Sequence, residues 1–260
     1  MDAEELKGRL KSLCLSTMAT IYEDEARKAG KLKLSYSDYL AKLVEEEYLA
    51  RTDRSIAARI AKAKFPFVRT IEEFDFSFQP TLSPQYIKEL GTLSFLEKAE
   101  NVLFLGPPGT GKTHLAVALG VKACMARKRV LFFPVAELLE RLSVTRVDRS
   151  LPRKLMELSR LDLLILDELG YDTLDRERAH LFYQVVAKRY EKGSIVLTSN
   201  KNFEQWDEIF GGDEIVATGI LDRLLHYSHA IVINGASYRI KDKVAALRKR
   251  APDQPKEHGT

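Results

Sequence analysis

The sequence predicts an α/β fold, a five-stranded parallel sheet between helices, preceded by a small all-helical domain. Three observations carry this. From residue 100 onward, apolar runs of strand length alternate with helical patterns, which implies parallel strands joined by right-handed crossovers. Residues 3–64 instead keep helical spacing throughout. At the first strand–helix junction stands Gly106-Pro107-Pro108-Gly109-Thr110-Gly111-Lys112-Thr113, which fits G-x-x-x-x-G-K-[ST] at every fixed position.

The elements follow in order. Leu6, Leu10 and Leu13, then Met18, Ile21, Tyr22 and Ala26, recur at helical intervals, with Gly30 as the expected stop. Ser35-x-x-Asp38 has the form of a capping box and opens a long helix carrying Tyr39, Leu40, Leu43, Val44, Tyr48, Leu49, Ile56 and Ile60. Arg51, Arg54, Arg59, Lys62, Lys64 and Arg69 form a basic stretch just after Glu45-Glu46-Glu47. It reads either as a solvated helix face or as a stripe facing phosphates. Phe65-Pro66-Phe67 breaks the helix. Phe74, Phe76 and Phe78 then either line an adenine or anchor the linker to the core. Strands are expected at 101–105, 129–135, 161–166, 194–199 and 229–234. Helices are expected at 112–127, 136–145, 151–159, 176–191, 203–209 and 213–227. The implied organisation is a helical N-terminal domain over 1–66 for partner or DNA binding and a linker over 67–100. The main α/β domain over 101–250 and a disordered tail over 251–260 complete it.

The bulk numbers set limits. The 260 residues are 45% apolar and 30% charged, an ordinary globular composition. A net charge of +4 permits a nucleic-acid partner without demanding one. Cys14 and Cys124 have no partner spacing, so a reduced, cytoplasmic setting is expected, with no zinc cluster. No apolar run is long enough for a membrane span or leader.

The chemistry centres on the glycine-rich loop. Its glycines let successive N–H groups turn toward an anion, and the helix starting at Lys112 adds its positive end. Lys112 is placed for the β- and γ-phosphates of ATP, and the Thr113 hydroxyl for Mg²⁺. Leu161-Asp162-Leu163-Leu164-Ile165-Leu166-Asp167-Glu168 reads as a strand beside the loop that ends in two acids, 55 residues after Lys112. Asp167 suits the metal and Glu168 the activation of water. Asn200, after the strand Ile195–Ser199, is either a contact to water or γ-phosphate or a turn residue. The segment around Arg223 reads either as a helix salt bridge between Asp222 and a nearby cation or as Arg223 brought to a neighbouring subunit's γ-phosphate.

Together these pieces resemble the AAA+ ATPases, and more narrowly their helicase-loader and initiator branch. The likeness rests on GPPGTGKTHLA at Gly106–Ala116, LLILDE at Leu163–Glu168, LTSN at Leu197–Asn200 and ILDRLLH at Ile220–His226, extended through Ile233–Arg239. Leu13–Met18 and Arg59–Phe76 make the whole chain similar to the IstB-type helper ATPases of bacterial insertion sequences. The resemblance implies duplex DNA binding with little sequence preference and ATP-dependent homo-oligomers. It also implies delivery of a target site to the element's transposase, which stimulates hydrolysis. A DnaC-like helicase loader is the alternative, with a nucleotide-gated structural module as a third reading. Carried over by position, Gly106–Thr113 bind the nucleotide, Thr113 and Asp167 the metal, and Glu168 is catalytic. Asn200 is the polar sensor and Arg223 the finger. About 25 residues follow the last strand, so no full C-terminal lid is expected, and Arg239 is left as a candidate nucleotide contact.

Overall fold

The computed structural model describes residues 2–235, 237 and 238. Arg239, the 251–260 tail and the stretch bearing on a lid lie outside the described residues. The chain divides into two compact units, Met1–Arg59 and the part from Ile60 onward. Among the described residues no helix is long and apolar enough to cross a membrane.

The first unit contains α1 (Ala3–Ser12), α2 (Met18–Leu32) and most of α3 (Tyr36–Ala63). Asp2 caps α1 by accepting from the Glu5 N–H at 2.7 Å. The Ser35 hydroxyl accepts from the Asp38 N–H at 3.1 Å at the start of α3, one half of the capping-box pattern, and donates to the Asp38 carboxylate at 2.6 Å. Gly30 is not the stop: α2 continues to Leu32 and ends at Lys33, which takes the left-handed conformation at φ 52°. The buried apolar residues here are few, namely Met18, Ala19 and Leu43. Polar locks supplement them. The N-cap of α2, Thr17, makes no side-chain cap; instead the Glu47 carboxylate of α3 accepts from the N–H groups of Thr17 (2.7 Å) and Met18 (2.9 Å). Glu47 is only 4% exposed and also pairs with Arg54 at 3.0 Å.

In the second unit, a 3-10 turn at Phe76–Phe78 leads into α4 (Pro84–Leu90) and α5 (Ser94–Glu97), two short helices the sequence reading left within the linker. Then come β1 (Asn101–Leu105), α6 (Lys112–Met125), β2 (Val130–Pro134), α7 (Val135–Val147), α8 (Leu151–Ser159) and β3 (Leu163–Leu169). The chain continues through α9 (Arg176–Arg189), β4 (Ser194–Ser199), α10 (Trp206–Ile209), α11 (Glu214–Leu225) and β5 (Ser228–Val232). All pairings are parallel and the strand order is β2-β3-β4-β1-β5. Both faces are covered, so the strands read as near-continuous apolar runs. Period-two alternation sorts them: Leu103, Leu105, Leu164, Leu166 and Leu197 join α7, α8, α9 and α11. Val102, Phe104, Leu163, Ile165 and Val196 join α6 and the linker.

Two details differ from expectation. The strand bearing Asp167 does not adjoin β1, because β4 lies between them. Nor does it end at the acids: β3 runs on to Leu169, with its register against β4 shifted between Leu166 and Leu169. Glu168 sits in this irregularity at φ 64°.

Burial alone would push the Glu47 carboxyl up, but the Met18 and Thr17 N–H groups and the Arg54 guanidinium outweigh it and hold its pKa below the usual carboxylate range. Its contribution is therefore full above the unfolded value of about 4.3 and lost as pH falls through the folded one. Glu47→Gln should destabilise the start of α2 by roughly 1–3 kcal/mol at neutral pH, with the difference from the parent closing below about pH 4. Hydrogen exchange at the Thr17 and Met18 amides of the full chain reads this out; equal protection at neutral pH would rule the lock out.

Candidate functional site

The order β3-β4-β1 brings three carboxyl-terminal strand ends side by side, the place where open α/β sheets bind ligands. The glycine-rich loop leaves β1 there, and Gly111 caps α6 in the left-handed conformation, φ 95°. Its backbone is tightly enclosed. A Cβ on Gly106 would lie 2.2 Å from the Ile233 carbonyl oxygen, and one on Gly111 2.5 Å from the Phe74 ring. The Lys112 ammonium is mostly buried and donates to the carbonyls of Gly106 (2.7 Å) and Pro107 (2.8 Å).

Asp167 ties the three strand ends together. It is 5% exposed. The Thr113 hydroxyl, from the first turn of α6, donates to its two oxygens at 2.9 and 3.1 Å. The Thr198 hydroxyl, from β4, donates to Oδ1 at 2.5 Å and accepts from the Glu168 N–H at 2.9 Å. The sequence reading gave Thr198 no role; its place one strand in from the loop was the missing signal. Glu168 itself is exposed, because the register shift sends consecutive acids in different directions.

A cavity of about 650 Å³ opens over these groups, within the usual range for small-molecule sites. Lys112, Thr113, Asp167, Glu168 and Asn200 all line it. Asn200 Oδ1 is buried with no hydrogen-bond partner among the described residues. The far wall is aromatic, with Phe74, Phe78 and Tyr238. The linker rings anchor the linker to the second unit and also wall the cavity. Phe74 packs edge-on to Phe76 and His114 while walling the cavity, and Phe78 meets Tyr238 edge-on at 5.2 Å. The Tyr238 N–H donates to the Gly109 carbonyl at 2.8 Å, so the segment after β5 closes over the loop.

Arg223 is not in this cavity. It lies near the end of α11, with its guanidinium 5.0 Å from the ring centroid of Tyr183 and Nη1 donating to the Gly219 carbonyl at 2.7 Å. Asp222 makes no ion pair among the described residues. Many of the basic residues are engaged within the chain. Arg51 donates to the Cys14 carbonyl, and Arg129 makes a paired contact with Asp162. Arg146 pairs with Glu177, and Arg153 and Lys154 share Glu157. Arg127 and Arg149 are exposed.

Residues 8–246 match the family described as IstB-like ATP binding protein. The chain belongs to this family. It is 46% identical to a protein of insertion sequence IS21 from Pseudomonas aeruginosa, over 92% of this chain and 90% of that one. It is 41% identical to one of IS5376 from Geobacillus stearothermophilus, over 92% and 96%. Both relatives are named for ATP binding. Among solved structures it is similar to DnaI, with a TM-score of 0.53 at 20% identity over 65% of this chain and 89% of that one. It is also similar to the DnaC helicase loader, with a TM-score of 0.51 at 22% identity over 67% and 98%. At such identities the likeness carries the fold, an AAA+ P-loop core. The IstB-like family and the AAA+ architecture are thus as the sequence motifs implied.

Thr198 offers a direct check on the site's construction. Thr198→Val keeps the shape but leaves the Glu168 N–H and Asp167 each short of a partner, at an expected cost of about 1–3 kcal/mol. Thr198→Ser should restore most of it. Denaturant midpoints of the three proteins decide the matter, and a valine variant as stable as the parent would remove Thr198 from the account.

Proposed function

We propose that this IstB-like chain is an ATP-dependent DNA-binding helper of insertion-sequence transposition. It binds ATP at the mouth of β1 and assembles with copies of itself on duplex DNA. The assembly then hands a target to the element's transposase. The observation that carries the ATPase reading is the convergence of Lys112, Thr113 and Asp167 under one cavity, with Thr198 fixing the carboxylate. The helper reading is supported by near full-length relatives from insertion sequences.

The residues fit a magnesium nucleotide. A hydroxyl and a carboxylate within hydrogen-bond reach of each other are oxygen donors suited to a hard divalent cation that keeps several waters. Thr113 and Asp167 would hold Mg²⁺, which would supply positive charge to offset that of the phosphates. The backbone of Gly106–Thr113 wraps the phosphates, and Lys112 exchanges its two carbonyl partners for phosphate oxygens. Phe74, Phe78 and Tyr238 give the cavity an apolar end that suits the adenine. Glu168 takes a proton from the water that attacks the γ-phosphorus as the bond to the β–γ bridging oxygen breaks, leaving ADP and inorganic phosphate. The buried Asn200 Oδ1 accepts a hydrogen bond from that water and orients it. Arg223, remote from its own chain's cavity, serves the γ-phosphate held by an adjoining copy, where it offsets charge in the transition state.

Glu168→Gln should bind ATP and assemble yet turn over at least about 100-fold more slowly, whereas Lys112→Ala should lose nucleotide binding itself. Fluorescent-nucleotide titration and phosphate release measure both. Parent-like turnover by the glutamine variant would take the proton-accepting role from Glu168. If exposed cations such as Arg127 and Arg149 face the duplex, affinity should fall steeply between about 50 and 200 mM salt as counterions are released. Fluorescence anisotropy with duplex DNA tests this, and a flat salt response counts against the DNA-binding reading.

A further inference from the structure

Arg223 is a long side chain with many rotamers, and a cation that must meet a phosphate on another copy loses rate if it is poorly aimed. The fold surrounds it with specific contacts. Tyr183, on α9, puts its ring 5.0 Å from the guanidinium carbon. The Gly219 carbonyl, one turn back on α11, accepts from Nη1 at 2.7 Å. Gly219 also makes room: a Cβ there would stand 3.2 Å from Tyr183 Cε2 and 3.6 Å from Arg223 Nη1. The guanidinium carbon stands over the ring, and the Gly219 carbonyl takes one N–H. Since guanidinium carries five N–H donors, the remaining ones stay available in its plane for phosphate oxygens.

We propose that Tyr183 is a positioning residue for Arg223, its ring and the Gly219 carbonyl together holding the guanidinium in one orientation for a γ-phosphate bound by a neighbouring copy. This rests on the reading of Arg223 as acting between copies. Fixing the side chain in advance removes part of the ordering that the encounter would otherwise require. The contact with the ring can persist while the edge of the guanidinium engages phosphate, so Tyr183 assists the arginine rather than competing for it.

The test uses mixtures of full-length variants with Mg²⁺, ATP and duplex DNA, read as phosphate release. Arg223→Ala keeps the cradle and lacks the finger; Lys112→Ala keeps the finger and lacks the cradle. Their mixture should recover activity. Adding Tyr183→Leu to the Lys112→Ala chain should lower the recovered kcat roughly tenfold at an unchanged KM for ATP. Adding it to the Arg223→Ala chain should change nothing, which also reports that the substitution folds and assembles. Tyr183→Phe, which keeps a ring face, should preserve recovery in either chain. Gly219→Ala in the finger-bearing chain should mimic the leucine. Equal losses from both chains would make Tyr183 a packing residue and overturn the inference. No loss overturns it as well, and a gain would mean that the ring parks the arginine. If the parent mixture recovers nothing, the reading of Arg223 between copies fails, and this inference with it.

Discussion

Asp167 is a buried carboxylate that must be satisfied where it stands, and the rest of the site depends on how that is done. A charge out of water needs donors, and here they come from two different elements. Thr113 is on the helix that opens from the glycine-rich loop, and Thr198 is on the strand lying between that loop and β3. One side chain thereby sets the position of α6, β3 and β4 relative to one another. The register shift after Leu166 completes the arrangement: Asp167 turns inward, Glu168 turns out into the cavity, and Thr198 holds the Glu168 N–H.

The loop is also confined from outside. Ile233, just after β5, crosses Gly106 so closely that no Cβ fits, and the Phe74 ring covers Gly111 in the same way. At these two positions the positive φ and the neighbouring atoms both require glycine. The linker before the sheet and the segment after it are therefore part of the site's walls. That explains why rings from opposite ends of the second unit, Phe78 and Tyr238, meet across the cavity.

Polar locks recur where the charge pattern alone suggested surface. Glu47 belongs to the acidic run Glu45-Glu46-Glu47, yet it is buried and caps another helix. Arg189 is 1% exposed and donates to the carbonyls of Leu158, Leu161 and Ser194, tying the end of α8 to β4. Its desolvation pulls the pKa down to about 10, so it still carries its charge at neutral pH. A cation among carbonyls left over at a helix C-terminus is favourably placed without a carboxylate partner.

Local chemistry decided much of this protein. Strand and helix positions from Asn101 to Val232 follow from periodicity, because burial on both faces of a parallel sheet leaves a strong apolar signal. The glycine-rich loop follows from its glycines and Lys112, which lie within a few residues of each other. The short helices at Pro84–Leu90 and Ser94–Glu97 escaped, being too brief to show a period. Gly30 misled, because an isolated helix residue pays a propensity cost that neighbours can override. What needed the tertiary structure was every relation between elements: β4 standing between β1 and β3, Thr198 bridging two acids, and Tyr183 of α9 beside Arg223 of α11. Those contacts join residues 30 to 54 positions apart or more, and no spacing rule in a single chain encodes them, since strand order is settled by how the sheet packs as a whole.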